Sequence, residues 1–161
     1  MRRRSQALGL LGWGMVTFAA AAVGAWASTS AASFYATLTL PAWAPPASVF
    51  GPVWTLLYAM MAVAAWLVWR QRGWRGARPA LTLYLLQVAV NALWSWLFFG
   101  WKLGALAFAD ILVLITLVCA TILAFARIHR GAALMLLPYL AWISFASALN
   151  FAVWRANPGL L

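Results

Sequence analysis

The sequence predicts an all-α membrane protein, a single domain over residues 1–161 built as a bundle of five transmembrane helices. Three observations carry this. Hydrophobic residues make up 67% of the chain and charged residues 7%, against about 25% charged in a soluble domain. Too little polar material is present to coat a surface facing water. Five stretches are apolar over the ~20 residues that a helix needs to cross the hydrocarbon. They are continuous and rich in Leu, Ala and Trp, without the period-two alternation of a membrane barrel strand.

The first span is expected at about 8–27. Its basic head and Ala25-Trp26-Ala27 imitate a signal peptide, but the apolar run exceeds the ~7–15 residues of a signal core. Small residues at Gly14, Ala20, Ala21, Gly24 and Ala25 suit close packing against a neighbouring helix of the same subunit. Residues 28–49 form the connector, with Pro41, Pro45 and Pro46 and no charge. The second span is expected at about 50–69, the third at 80–98, the fourth at 105–126 and the fifth at 132–154. In the fourth, Ala105 and Ala109 make a small-xxx-small pair. In the fifth, Pro138 opens the backbone one turn before Trp142.

The net charge is +10, from eleven Lys and Arg against the single acid Asp110. The cations cluster between apolar blocks, which encodes topology rather than nucleic-acid binding. Nine of them (Arg2, Arg3, Arg4, Arg70, Arg72, Arg75, Arg78, Arg127 and Arg130) fall on one side, and Lys102 and Arg155 on the other. The basic side faces inward, and the proline-rich connector lies opposite. Cys119 is alone, so no disulfide framework or cysteine metal site is available. His129, between Arg127 and Arg130, reads as a loop or interface residue.

Helical rise brings the informative residues to similar depths. Measured from the connector's side, Trp54, Asp110, Asn91 and Trp142 fall in the half of the bundle that the connector covers. Gln87, Asn91, Trp94 and Phe98 form one helical stripe. Trp54, Tyr58 and Met61 share a face of the second span, and Trp142, Ala146 and Leu149 a face of the fifth. Most of the twelve tryptophans suit interfacial anchoring; Trp54, Trp94 and Trp142 do not. Gln87 and Asn91 read either as interhelical glue or as ligand contacts. Asp110, an intramembrane acid, is a functional candidate or a structural acceptor. A cavity lined by indoles and a few amides suits a large flat aromatic or sterol-like ligand.

At these residues the chain resembles the translocator protein / tryptophan-rich sensory protein (TspO/MBR) family. The resemblance is densest in LPAWAPPASVFGPVWTLLY (40–58), LQVAVNALWSWLFFG (86–100) and LPYLAWISFASALNFAVWRANPG (137–159). It implies a multi-pass protein of a bacterial membrane, inner or outer, usually a homodimer that pairs through the third helix. It implies binding of protoporphyrin IX, haem-like tetrapyrroles, lipid or sterol, and benzodiazepine-site ligands, with no obligatory cofactor. It assigns the pocket tryptophans to Trp54, Trp94 and Trp142, the amide to Asn91, and the lid signature to Pro41, Trp43, Pro45 and Pro46, with Trp43 facing the cavity. With Phe50, Tyr58, Gln87, Phe98, Asp110, Ala146 and Leu149, these make up the expected ligand-binding set.

Two departures stand out. Ala42 replaces the first tryptophan of the bacterial loop pair. In the sterol-motif-like segment Leu149, Phe151 and Arg155, Phe151 stands for a tyrosine and the hydroxyl is gone. Two functions remain open: a membrane receptor, sensor or transporter for tetrapyrroles, or an enzyme degrading protoporphyrin IX in light, with Trp54 and Trp142 as the candidate redox pair. No metal cluster, nucleophile triad or carboxylate pair is present in the sequence to support other chemistry.

Overall fold

The computed structural model describes residues 3–161; Met1 and Arg2 lie outside the described residues. The elements are α1 (Arg3–Ala27), α2 (Ala31–Thr37), a short 3-10 turn (Ala47–Val49), α3 (Phe50–Ser95), a π-turn (Trp96–Gly100), α4 (Gly104–Ala126), α5 (Arg130–Met135) and α6 (Leu137–Ala156). Among the described residues there is no strand.

Helix α3 holds two membrane passes that join at a kink. Tyr58 and Asn91 are 33 residues apart, yet the Tyr58 hydroxyl donates to Asn91 Oδ1 at 3.2 Å. On a straight helix they would stand about 50 Å apart. The chain reverses at Gly73, where φ 65° and ψ −179° fall in a region that essentially only glycine enters. The four arginines expected in a loop here, Arg70 to Arg78, therefore stand on helical turns either side of one glycine. The second and third passes are residues 50–72 and 74–100, so the bundle has five passes, as the sequence predicts.

The fifth pass is in two pieces, unlike the single run expected over 132–154. Helix α5 ends at Met135, and α6 restarts at Leu137 with Pro138 in its first turn, where a missing N–H costs nothing. His129 caps α5, its Nδ1 accepting from the Ala132 N–H at 3.1 Å, a structural role at the membrane border.

One stripe of α1 faces the bundle. Thr17 is fully buried and its hydroxyl pairs with Tyr84 Oη at 2.6 Å. A side chain at Gly24 would stand 3.2 Å from Ser95 Oγ, so helix one packs tightly there. Gly14 meets nothing within 4 Å, and Ala105 and Ala109 on α4 are exposed. Small residues thus serve internal packing at Gly24 but not at Gly14, Ala105 or Ala109. The main core joins Met61, Val68, Leu81, Tyr84, Leu114, Phe125 and Ile143 from the second to fifth passes.

Candidate functional site

A cavity of about 480 Å³ lies between α1, the lid and passes two, three and five. Pass four contributes none of its lining. The wall is built from Phe50, Trp54 and Tyr58 on pass two, Asn91, Trp94 and Phe98 on pass three, and Trp142, Ala146 and Leu149 on pass five. Nine of the expected site residues thus converge on one space. Those on each helix recur at three- and four-residue steps, which places them on one face.

The aromatic groups form a corner. Trp54 and Trp142 meet edge to face, centroids 6.5 Å apart at 87°. Phe50 lies 6.0 Å from Trp142, and Trp54 lies 5.7 Å from Tyr58. Across the space, Trp94 stacks on Phe98 at 5.1 Å and 17°. Phe98 and Phe99, on the π-turn, both line the wall. Both also meet Phe34 of the lid at 6.5 Å.

Polar groups of the wall are tied into the bundle. Asn91 Nδ2 donates to Tyr139 Oη at 2.6 Å, and Tyr139 Oη donates to Gln87 Oε1 at 2.9 Å. With the Tyr58 bond, one chain of hydrogen bonds links passes two, three and five beneath the cavity. Asn91 is therefore interhelical glue by geometry while still reaching the wall. Trp94 Nε1 donates to Asn150 Oδ1 at 2.9 Å, and Asn150 Nδ2 donates to the Gly104 carbonyl at 3.2 Å. Trp142 Nε1 is buried without a partner.

Five expected residues do not line the cavity. Gln87 lies beneath it, 1% exposed, with Nε2 unpartnered. Asp110 sits on pass four, away from the wall, with Oδ2 buried and unpartnered. Trp43 was expected to face inward. It is half-exposed and packs on Phe145 from outside at 5.7 Å. Pro45 and Pro46 shape the lid from behind. The reason is α2, a short helix inside what reads as coil. Its apolar face, Phe34 and Tyr35, takes the inward positions, with Tyr35 5.5 Å from Phe50. The Tyr35 hydroxyl donates to the Pro45 carbonyl at 2.7 Å, and burial raises its pKa, so the phenol keeps its proton. The sterol-motif-like residues also separate. Leu149 is in the cavity, while Phe151 and Arg155 are exposed, with Arg155 over Trp154 at 5.9 Å.

Residues missed by sequence reasoning are Tyr35, Tyr139 and Asn157. Tyr139 lies three positions before Trp142, so the helical stripe carried its signal. Tyr35 and Asn157 had none, because their partners are backbone carbonyls and amides of a segment without periodicity. The mouth of the cavity lies between α1, the lid helix and the start of pass two, where the lining residues Ala25, Thr29, Ala32, Gly51 and Thr55 are exposed.

Comparison with known proteins places this architecture. The TspO/MBR family model matches residues 13–155. The chain belongs to the TspO/MBR family. It is 41% identical over 127 residues to the tryptophan-rich protein TspO of Chlorobaculum tepidum, covering 78% of this chain and 80% of that one. It is 41% identical over 128 residues to the translocator protein of Homo sapiens, covering 78% and 76%. It is 38% identical over 149 residues to the tryptophan-rich sensory protein of Cereibacter sphaeroides, covering 90% and 92%. Membership of this family and the long apolar helices make it an integral membrane protein.

Proposed function

We propose that the protein is a membrane receptor or sensor that holds a porphyrin-class ligand, protoporphyrin IX or a haem-like tetrapyrrole, in the lidded cavity. The observation that carries this is the convergence of Trp54, Trp94 and Trp142 on one space of about 480 Å³. Flat aromatic walls favour a flat conjugated ligand, by stacking and edge contacts worth about 0.5–1.5 kcal/mol per pair beyond area burial. The names of the relatives, a translocator protein and a sensory protein, support binding over catalysis. The test is protoporphyrin IX titration in nanodiscs, read by quenching of tryptophan emission. Ala146→Trp, which fills the cavity, should abolish saturable quenching without unfolding the bundle. Equal quenching in that variant would place the ligand elsewhere.

A second reading, light-driven degradation of the bound porphyrin, draws on the edge contact of Trp54 with Trp142 and the unpartnered Trp142 Nε1. Trp54→Phe and Trp142→Phe keep most of the aromatic area. Binding should change by about 1 kcal/mol or less. If the indoles are redox partners of the excited pigment, loss of its absorbance under light and oxygen should cease in both variants. Equal rates in wild type and variants would remove this reading. A homodimer is part of the proposal; the exposed Leu86 and Leu93 on pass three give it lipid-facing surface to pair through.

A further inference from the structure

We propose that Asn157 latches the lid and sets how fast the cavity exchanges its ligand. Asn157 follows the last turn of α6, is 6% exposed, and lies 118 residues from the lid residue it holds. Its Oδ1 accepts from the Thr39 N–H at 2.8 Å, and its Nδ2 donates to the Thr39 carbonyl at 2.9 Å. One side-chain amide thus pairs with both backbone groups of one residue, as a neighbouring strand would. The second Nδ2 hydrogen goes to the Val153 carbonyl at 2.7 Å, fixing the amide's orientation. The backbone of Asn157 is held as well: its carbonyl accepts from Leu160 and Leu161 at 3.1 Å. The strap has few ties of its own: residues 39–46 make one backbone hydrogen bond among themselves, Ala44 to Pro41, beside the Tyr35 hydroxyl on the Pro45 carbonyl.

The position of the clamp gives it a function. Thr39 lies between α2, which carries Tyr35 against the cavity, and the turn that leads to Phe50 and Trp54. It is the point where the strap between the two lining segments is tied to the far helix. Asn157 does not line the cavity, so it acts on a ligand only through the lid. Losing the clamp should make lid opening more frequent while the closed form stays dominant, which accelerates entry and exit alike and leaves affinity nearly unchanged. The inference rests on ligand binding in the cavity as proposed above.

The experiment uses the full chain in nanodiscs, with Asn157→Leu and, from the other side of the clamp, Thr39→Pro. The second variant removes the donor N–H without touching α6. Leu38, at φ −83° and ψ 146°, already has the extended conformation that a following proline requires. Two readouts are taken: hydrogen exchange of amides 38–46, and association and dissociation rates of protoporphyrin IX. Both variants should speed lid exchange about tenfold, the equivalent of one to two net hydrogen bonds. Protection along α6 should be unchanged. Both porphyrin rates should rise together, with Kd moving less than about threefold. Unchanged lid exchange in both variants overturns the latch. Faster lid exchange with unaltered porphyrin rates overturns its control of the cavity. So does a general loss of protection through α6 in Asn157→Leu when Thr39→Pro leaves the lid protected, because the amide would then be holding the helix instead. If the wild type shows no saturable porphyrin binding, the ligand reading fails, and lid exchange alone still decides whether Asn157 is a latch.

Discussion

Tyr139 shows what a single hydroxyl does inside this bundle. It accepts from Asn91 and donates to Gln87 while fully buried. Tyr139→Phe leaves both amides short of a partner, and each unmet buried group costs about 1–3 kcal/mol. Thermal unfolding in detergent should show a loss of about 2–4 kcal/mol. Gln87→Met is the contrast. Gln87 Nε2 already lacks a partner, so removing the amide also removes a penalty, and stability should fall by less than 1 kcal/mol or so. Equal losses in the two variants would show that the chain of bonds does not carry the difference. At this scale the sequence was legible where a helical stripe orders the residues: Trp54, Asn91, Trp94 and Trp142 all arrive on the cavity wall. It was not legible at Trp43, because the direction of a loop side chain depends on which neighbour fills the inward position first. Here α2 fills it with Tyr35.

At the scale of elements, two glycines with the same identity behave differently. A Cβ added at Gly24 would stand 3.2 Å from Ser95 Oγ, inside van der Waals contact, whereas one at Gly14 would meet nothing within 4 Å. Gly24→Leu should push α1 off pass three and destabilise the fold by an amount typical of overpacking, about 1–3 kcal/mol. Gly14→Leu, which faces lipid, should be near neutral in the same melt. If both melt alike, the packing of helix one is not what Gly24 serves. Gly73→Ala forces a side chain into the backbone region that reverses passes two and three, at a strain of about 1–3 kcal/mol. The sequence predicted a loop between these passes from its arginines, and a helix start near residue 80. Arginine is a good helix former, so charge marked the membrane border but not the end of the helix. The split of pass five was signalled only by Pro138, whose place in the first turn of α6 the sequence left undetermined.

At the scale of the whole molecule, the same arginines are expected to set the orientation in the membrane. Among the described residues, Arg3, Arg4, Arg70, Arg72, Arg75, Arg78, Arg127 and Arg130 lie at one end of the bundle, and Lys102 and Arg155 at the lid end, where Lys102 Nζ stands 4.7 Å over the Phe34 ring. The number of passes and this asymmetry follow from composition and length, which is why they were readable from the sequence; the lid fold depends on long-range contacts such as Thr39 with Asn157, which no local pattern encodes. Retaining Lys and Arg on the cytoplasmic side is the main determinant of orientation for short loops, so the cavity should open toward the opposite face. The check is labelling of single cysteines in a Cys119→Ser background with a membrane-impermeant maleimide. Ala42→Cys lies on the exposed lid and Gly76→Cys on the exposed turn beyond Gly73. In spheroplasts, Ala42→Cys should label at once and Gly76→Cys only after lysis. The reverse order would mean that the arginines do not direct insertion here, and that the lidded cavity meets the cytoplasm.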